Sequence, residues 1–228
     1  MATRKQKKSD ETIVDLVEVK DQAQDYFENN QIVVLGILGV IVLIFGGWFG
    51  YVNLYQKPRN EKAMEQMFQA QFRFEKDSFA LALENPGGGY DGFLDVIDNY
   101  GGTQAANLSN YYAGISYLRL GRYDAAISYL ETFKPKGDVT PIMKYGALGD
   151  AYSETGDMDK ALSLYKKAST TDQNDYLTPY YLKKLALLYE HQGEIQKAQE
   201  AFNQIKEDYP NSAVGKDIEK YIMRVSGN

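Results

Sequence analysis

The chain has 228 residues, no cysteine and a formal net charge of −6, so disulfides, thiolate chemistry and cysteine-held metal sites are excluded, and an acidic surface disfavours nucleic acid as a partner. A single histidine leaves little for acid–base or metal chemistry, whereas the 19 tyrosines are abundant enough to need an explanation.

Residues 1 to 9 are basic and polar, and no glycine stands at position 2 for myristoylation. In Asp10 to Asn30, Ile13, Leu16, Val17, Ala23 and Phe27 recur at helical spacing with acids on the remaining face, which predicts a short amphipathic helix within a 1–30 tail. It could touch a partner or a membrane surface, or simply lead into the next element; its acids oppose an anionic surface.

Ile32 to Val52 is a run of twenty-one residues without a charge. At about 1.5 Å per residue such a run spans roughly 31 Å, the thickness of a bilayer's hydrocarbon core, so the sequence predicts one transmembrane helix over 31–56 in contact with lipid. Trp48, Tyr51 and Tyr55 gather at its end, where amphipathic rings favour the headgroup level, and Lys57 and Arg59 follow. A cleaved signal peptide fits poorly, because the run is too long for one, starts late and has no small-residue cleavage site. Lys and Arg number five in residues 1–30 and five in 57–76, so the positive-inside count is a tie. Gly36, Gly39, Gly46, Gly47 and Gly50 fall within a stripe roughly 100° wide. Such a stripe lets another helix backbone approach closely, although glycine is common in membrane helices in any case.

Residues 57–106 read as a helical extension with a degenerate leading repeat. Ala63, Met67, Ala70, Phe74 and Leu81 keep helical spacing in one run from Glu61 to Glu84. Asn85-Pro86 and Gly87 to Gly89 form a turn, without the Walker pattern of a phosphate loop. Phe93, Val96 and Ile97 then mark a shorter helix from Tyr90 to Tyr100.

From 107 to 210, three segments superpose on Gly121, Gly156 and Gly193, at spacings of 35 and 37 residues. Each copy has a small residue seven positions before its glycine (Gly114, Gly149, Ala186) and a tyrosine four before (Tyr117, Tyr152, Tyr189). Alanine stands five after (Ala126, Ala161, Ala198), and a large residue nine after (Leu130, Tyr165, Phe202). Small residues let paired helices approach and large ones fill the gap, and the pattern resembles three tetratricopeptide repeats. Residues 211–228 hold a last helix, Ser212 to Val225, that buries Val214, Ile218, Tyr221 and Ile222 and caps the array. The predicted fold is all-α: a single transmembrane helix followed by a tetratricopeptide-repeat α-solenoid.

No nucleophile, base or metal set is held by partners in this pattern, so no catalytic, metal or cofactor site is read and the chain is not expected to be an enzyme. His191 is read as structural or groove-lining. Resemblance to tetratricopeptide solenoids implies a binding groove on the first helices. By register it is lined by Tyr111, Ile115, Arg119, Met143, Asp150, Glu154, Tyr180, Lys183, Leu187, Glu190 and His191. That set lacks the basic and asparagine residues of repeats that clamp a chaperone's terminal carboxylate, since the second repeat offers Gly146 and Asp150.

The lead-in Asp21 to Asn30, the glycine-bearing anchor and the Lys57 to Ala82 extension, placed before the repeats, together resemble the YfgM type of ancillary Sec translocon subunit. The resemblance implies a bacterial inner-membrane protein with a cytoplasmic N-terminus and periplasmic repeats. It also implies association with the SecYEG channel and a membrane-anchored peptidyl-prolyl isomerase chaperone, with contacts to secretory polypeptides. The chain departs from that type in its more basic N-terminus, its Gly87 to Gly89 insertion and its tyrosine-rich repeats. A scaffold for cell-envelope assembly or division, unrelated to secretion, would use the same architecture.

Overall fold

The computed structural model describes Tyr26 and residues 28–227, which are helical with no strand among them. The basic start and most of the predicted amphipathic lead-in, including Ile13, Leu16, Val17, Ala23 and Phe27, lie outside the described residues. The chain divides into two compact units, Met1–Pro58 and Arg59–Asn228.

The first unit contains α1 (Gln31–Gly50), followed by a π-helical stretch Tyr51–Gln56. By length and composition this is a helix able to cross a membrane. No residue of α1 is buried, and its apolar side chains stand exposed on all sides. Such a surface is costly in water, at roughly 25 cal/mol per Å² of apolar area. The wide turns before Pro58 have a local cause. Proline has no N–H for the carbonyl four residues back and crowds it, and Lys57 already bonds five residues back, to Val52. Polar side chains tie these turns together: Asn53 donates to the Phe49 carbonyl (2.8 Å), and Lys57 donates to Asn53 Oδ1 (2.7 Å).

The second unit starts within α2 (Lys57–Glu75) and continues with α3 (Phe79–Glu84). The single run expected from Glu61 to Glu84 is thus two helices. Asp77 separates them with φ 54°, a left-handed conformation that aspartate tolerates better than most residues. The break lets Phe79 fold back edge-on to Phe74 (5.4 Å), while Phe74 also meets Tyr112 (5.0 Å). Arg73 Nε holds the Pro86 carbonyl at 2.8 Å across the glycine turn, and α4 (Phe93–Asn99) follows. It begins three residues after Tyr90. Ala63, Met67 and Ala70 of α2 are fully buried in one cluster with Phe93 and Val96 of α4 and with Ala105 and Ala113 of the next helix.

Three helix pairs make up the remainder: α5 (Gln104–Arg119) with α6 (Tyr123–Thr132), α7 (Val139–Glu154) with α8 (Met158–Thr170), and α9 (Leu177–His191) with α10 (Ile195–Asp208). Thr103 caps α5 by accepting from the Ala106 N–H. Each first helix stops in the same way. Gly121, Gly156 and Gly193 all have positive φ (72°, 84° and 79°), and the next residue's N–H returns to the carbonyl of Tyr117, Tyr152 and Tyr189. That is the glycine-terminated helix end, which explains why the turn residue repeats.

The small residues receive the large ones. A Cβ on Gly114 would stand 2.5 Å from Leu130 Cγ, and one on Gly149 would stand 2.7 Å from the Tyr165 ring. Ala186 and Phe202, both fully buried, occupy the same place in the third pair. At the end of the array the expected helix from Ser212 is a 3-10 turn, Gly215–Asp217, and then α11 (Glu219–Ser226). Gly215 packs against the Tyr209 carbonyl, and Ile218 and Val225 are buried.

Ser116 is fully buried on α5, and its hydroxyl has no hydrogen-bond partner. An orphaned buried hydroxyl costs about 1–3 kcal/mol. Ser116→Ala is therefore expected to raise the melting temperature in thermal unfolding, while Gly114→Val, which forces a side chain into Leu130, lowers it by the equivalent of ~1–3 kcal/mol. A lower melting temperature for Ser116→Ala would contradict the assignment.

Candidate functional site

The first helices of the three pairs share an inner face with an open cavity of about 580 Å³. Tyr111, Ile115 and Arg119 come from α5, Asp150, Ser153 and Glu154 from α7, and Tyr180, Tyr181 and Lys184 from α9. A neighbouring cavity of about 280 Å³ lies among Met158, Leu187, Leu188 and His191. The two share Ser153, Tyr165 and Lys184 and so form one trough.

Asp150 is the electrostatic centre of the larger cavity. Its Oδ1 accepts from the Tyr165 hydroxyl (2.7 Å) and from the Lys184 ammonium (2.5 Å). Both partners of the ion pair are about a quarter exposed, so water reaches them, but a charge-assisted bond of this kind still orients the groups. The same ammonium stands 5.0 Å from the Tyr180 ring centroid and 5.7 Å from that of Tyr165, within reach of a cation–π attraction.

Tyr181 lies directly on the α7 backbone at Gly146. A Cβ there would fall inside the ring, 1.9 Å from Cζ. Its ring also stacks on Tyr165 (6.4 Å) and meets Tyr180 edge-on (5.0 Å). Burial disfavours the phenolates, and the Asp150 charge adds to the effect. Tyr165 and Tyr181 are pushed well above the ordinary tyrosine range, and Tyr111 is pushed up to about 12 by burial first, then by Tyr112 and Asp150. At the rim, Glu154 beside the Tyr123 hydroxyl raises that phenol's pKa, and the exposed Arg119 guanidinium makes no ion pair or hydrogen bond among the described residues.

The structure gathers six of the register-derived groove residues in the larger cavity: Tyr111, Ile115, Arg119, Asp150, Glu154 and Tyr180. Leu187 and His191 line the smaller one. Lys183 and Glu190 are engaged by the last helix. Lys183 sits 4.6 Å from the Tyr221 ring centroid and lowers that phenol's pKa through a hydrogen bond, and Arg224 pairs with Glu190 at 2.5 Å. Met143 is half-buried on α7 and lines neither cavity.

Sequence reasoning missed Lys184 and Tyr181 as lining residues and assigned Tyr165 to packing alone. The only available signal was Gly146, a glycine inside a helix that admits a ring from the next repeat. The helix glycines Gly36, Gly39, Gly46, Gly47 and Gly50 face open space. No cluster of His, Asp and Glu among the described residues is arranged to hold a metal ion.

Helical pairs of this length, each with a glycine turn and stacked to leave an open inner face, define an α-solenoid. Tetratricopeptide repeat profiles match residues 109–134 and 142–211. The fold is similar to nearly identical TPR-like repeats of a Podosopora anserina protein assigned as a kinesin light chain, with TM-score 0.57, 15% identity, and coverage of 74% of this chain and 87% of that one. A single-site variant of the same repeats matches with TM-score 0.56 and 16% identity, over 74% and 86% of the two chains. At such identity the likeness concerns the fold. No curated protein matches in sequence. Residues 109–134 and 142–211 are thus tetratricopeptide repeats, a repeat type that indicates protein–protein interaction.

The buried phenols make stability fall at high pH. Tyr111 holds its proton up to about 12 when folded, against roughly 10 when unfolded, so the folded state binds more protons between these values. Its contribution is fully present below pH ~10 and is lost as the pH rises through ~12. Tyrosinate absorbance should show late-titrating phenols that move to the ordinary range on unfolding, and Tyr111→Phe should remove one of them; an unchanged late fraction in that variant would contradict the assignment.

Proposed function

We propose that this chain is a non-enzymatic, membrane-anchored adaptor that holds its tetratricopeptide domain on the periplasmic side of a bacterial inner membrane, beside the Sec protein-conducting channel. There it presents the trough to a chaperone or to emerging secretory chains. The observation that carries the adaptor reading is the trough itself, a continuous open surface contributed by all three repeats.

Anchoring is supported by α1, which is long and apolar enough to span a bilayer and is covered by no described residue of its unit. Docking inside the membrane is supported by its glycines, which leave open backbone on which another helix can pack. The Sec association and the orientation rest on the resemblance in Asp21 to Asn30, the anchor and the Lys57 to Ala82 extension. The partners that follow are SecYEG and a membrane-anchored peptidyl-prolyl isomerase.

Affinity capture of the tagged protein in mild detergent is expected to recover Sec channel subunits, and Gly46→Leu with Gly50→Leu to reduce that recovery several-fold. Capture of neither channel nor chaperone would overturn the Sec assignment. In spheroplasts, protease should digest the repeat domain; protection there would reverse the orientation.

A further inference from the structure

The chemistry that the trough recognises follows from which of its groups are already engaged. In the larger cavity Arg119 and Lys184 balance Asp150 and Glu154, so the formal charge of its lining is zero. A neutral lining exerts little pull on a highly charged ligand. A terminal carboxylate would be held by two free cations side by side, but Lys184 is committed to Asp150, and Arg119 stands alone at the rim.

Uncommitted capacity alternates in sign. Asp150 accepts both of its bonds on Oδ1, which leaves Oδ2 as an acceptor. The Lys184 ammonium donates to a single carboxylate, which leaves further N–H donors. Acceptors and donors in one neutral cavity suit the N–H and C=O groups of an extended main chain. Next to them, across the shared wall of Ser153 and Tyr165, Met158, Leu187 and Leu188 form the apolar side of a recess of about 280 Å³ that His191 and the Lys184 side chain also line. Beyond it the face is closed by the last helix, where Arg224 and Tyr221 hold Glu190 and Lys183.

We propose that the trough binds an internal, extended segment of a partner chain, with its main chain held at Asp150 and Lys184 and one bulky aliphatic or aromatic side chain seated against Met158 and Leu187. This rests on the adaptor reading and names the class of segment recognised. Such a site selects by side-chain volume at one position and ignores chain ends and net charge.

Fluorescence anisotropy of the full chain in detergent, with short Gly-Ser peptides blocked at both ends and centred on Leu, Phe, Ala or Glu, tests it directly. Leu- and Phe-centred peptides should bind, with Ala- and Glu-centred ones ~10-fold or more weaker, as loss of an apolar group from a fitted pocket predicts. Binding should change little with salt, because no net charge is being neutralised. Leu187→Asp should abolish the preference for Leu, and Lys184→Met, which keeps the stem but removes the donors, should weaken all peptides alike; the second variant stands in if the first does not fold by circular dichroism. The proposal is overturned if a free C-terminal carboxylate is required, if binding falls steeply with salt, or if Ala-centred peptides bind as tightly as Leu-centred ones. Capture of partners without binding of any Leu- or Phe-centred peptide sinks the proposal and leaves the adaptor reading standing. Peptide binding without capture of Sec channel or chaperone subunits leaves this proposal standing and overturns only the Sec assignment.

Discussion

Each helix pair depends on a contact between a bare or nearly bare backbone on the first helix and a large side chain sixteen residues later on the second: Gly114 with Leu130, Gly149 with Tyr165, Ala186 with Phe202. The reach of a glycine-to-side-chain contact brings the two helices closer than two ordinary side chains allow, and interiors packed at crystal density leave no slack to absorb a change. The turn glycines act in series with this contact, because each ends the first helix at the residue that lets the second return along it. Once three pairs share that spacing, their first helices lie side by side and one inner face exists.

The chemistry of that face comes from the same packing residues used at their tips. Tyr165 fills the gap over Gly149 with its ring and places its hydroxyl on Asp150. Tyr181 uses the missing side chain of Gly146 to lie flat on α7, so the floor of the cavity is aromatic where an ordinary helix would project a side chain of its own. Tyrosine suits both duties, since its body is apolar and its end is polar. Part of the tyrosine abundance is thereby explained: many fill interhelix gaps, and a few of those also define the trough.

The last helix does more than cover the end of the array. Ile218 and Val225 close the third pair's core, while Tyr221 and Arg224 reach Lys183 and Glu190 on the inner face. Two residues that register places in the groove are thus held within the domain, and the trough runs from the first repeat to His191. The exposed pairs around this helix, such as Lys206 with Glu219, are of the kind that contribute little to stability, so its attachment rests on Ile218 and Val225 and on the Tyr221 ring stacked on Phe202.

Local patterns were enough to read the helix able to span a bilayer, the three glycine turns and the small-to-large pairing. Each of these is set by a few residues close in sequence: an uncharged run matched to bilayer thickness, a glycine in a left-handed turn, a methyl or hydrogen opposite a ring. The register of the repeats also carried Tyr111, Asp150 and Tyr180 to the inner face, because one helix position recurs on one side. Three things depended on residues far apart in sequence. Asp77 breaks the run from Glu61 to Glu84 because Phe79 has Phe74 to return to, Lys184 turns onto Asp150 rather than outward, and the last helix takes Lys183 and Glu190 from the groove. A repeat pattern states which side of a helix a residue occupies. Which partner meets it across the gap is a matter of three-dimensional packing, and only the tertiary structure decided that.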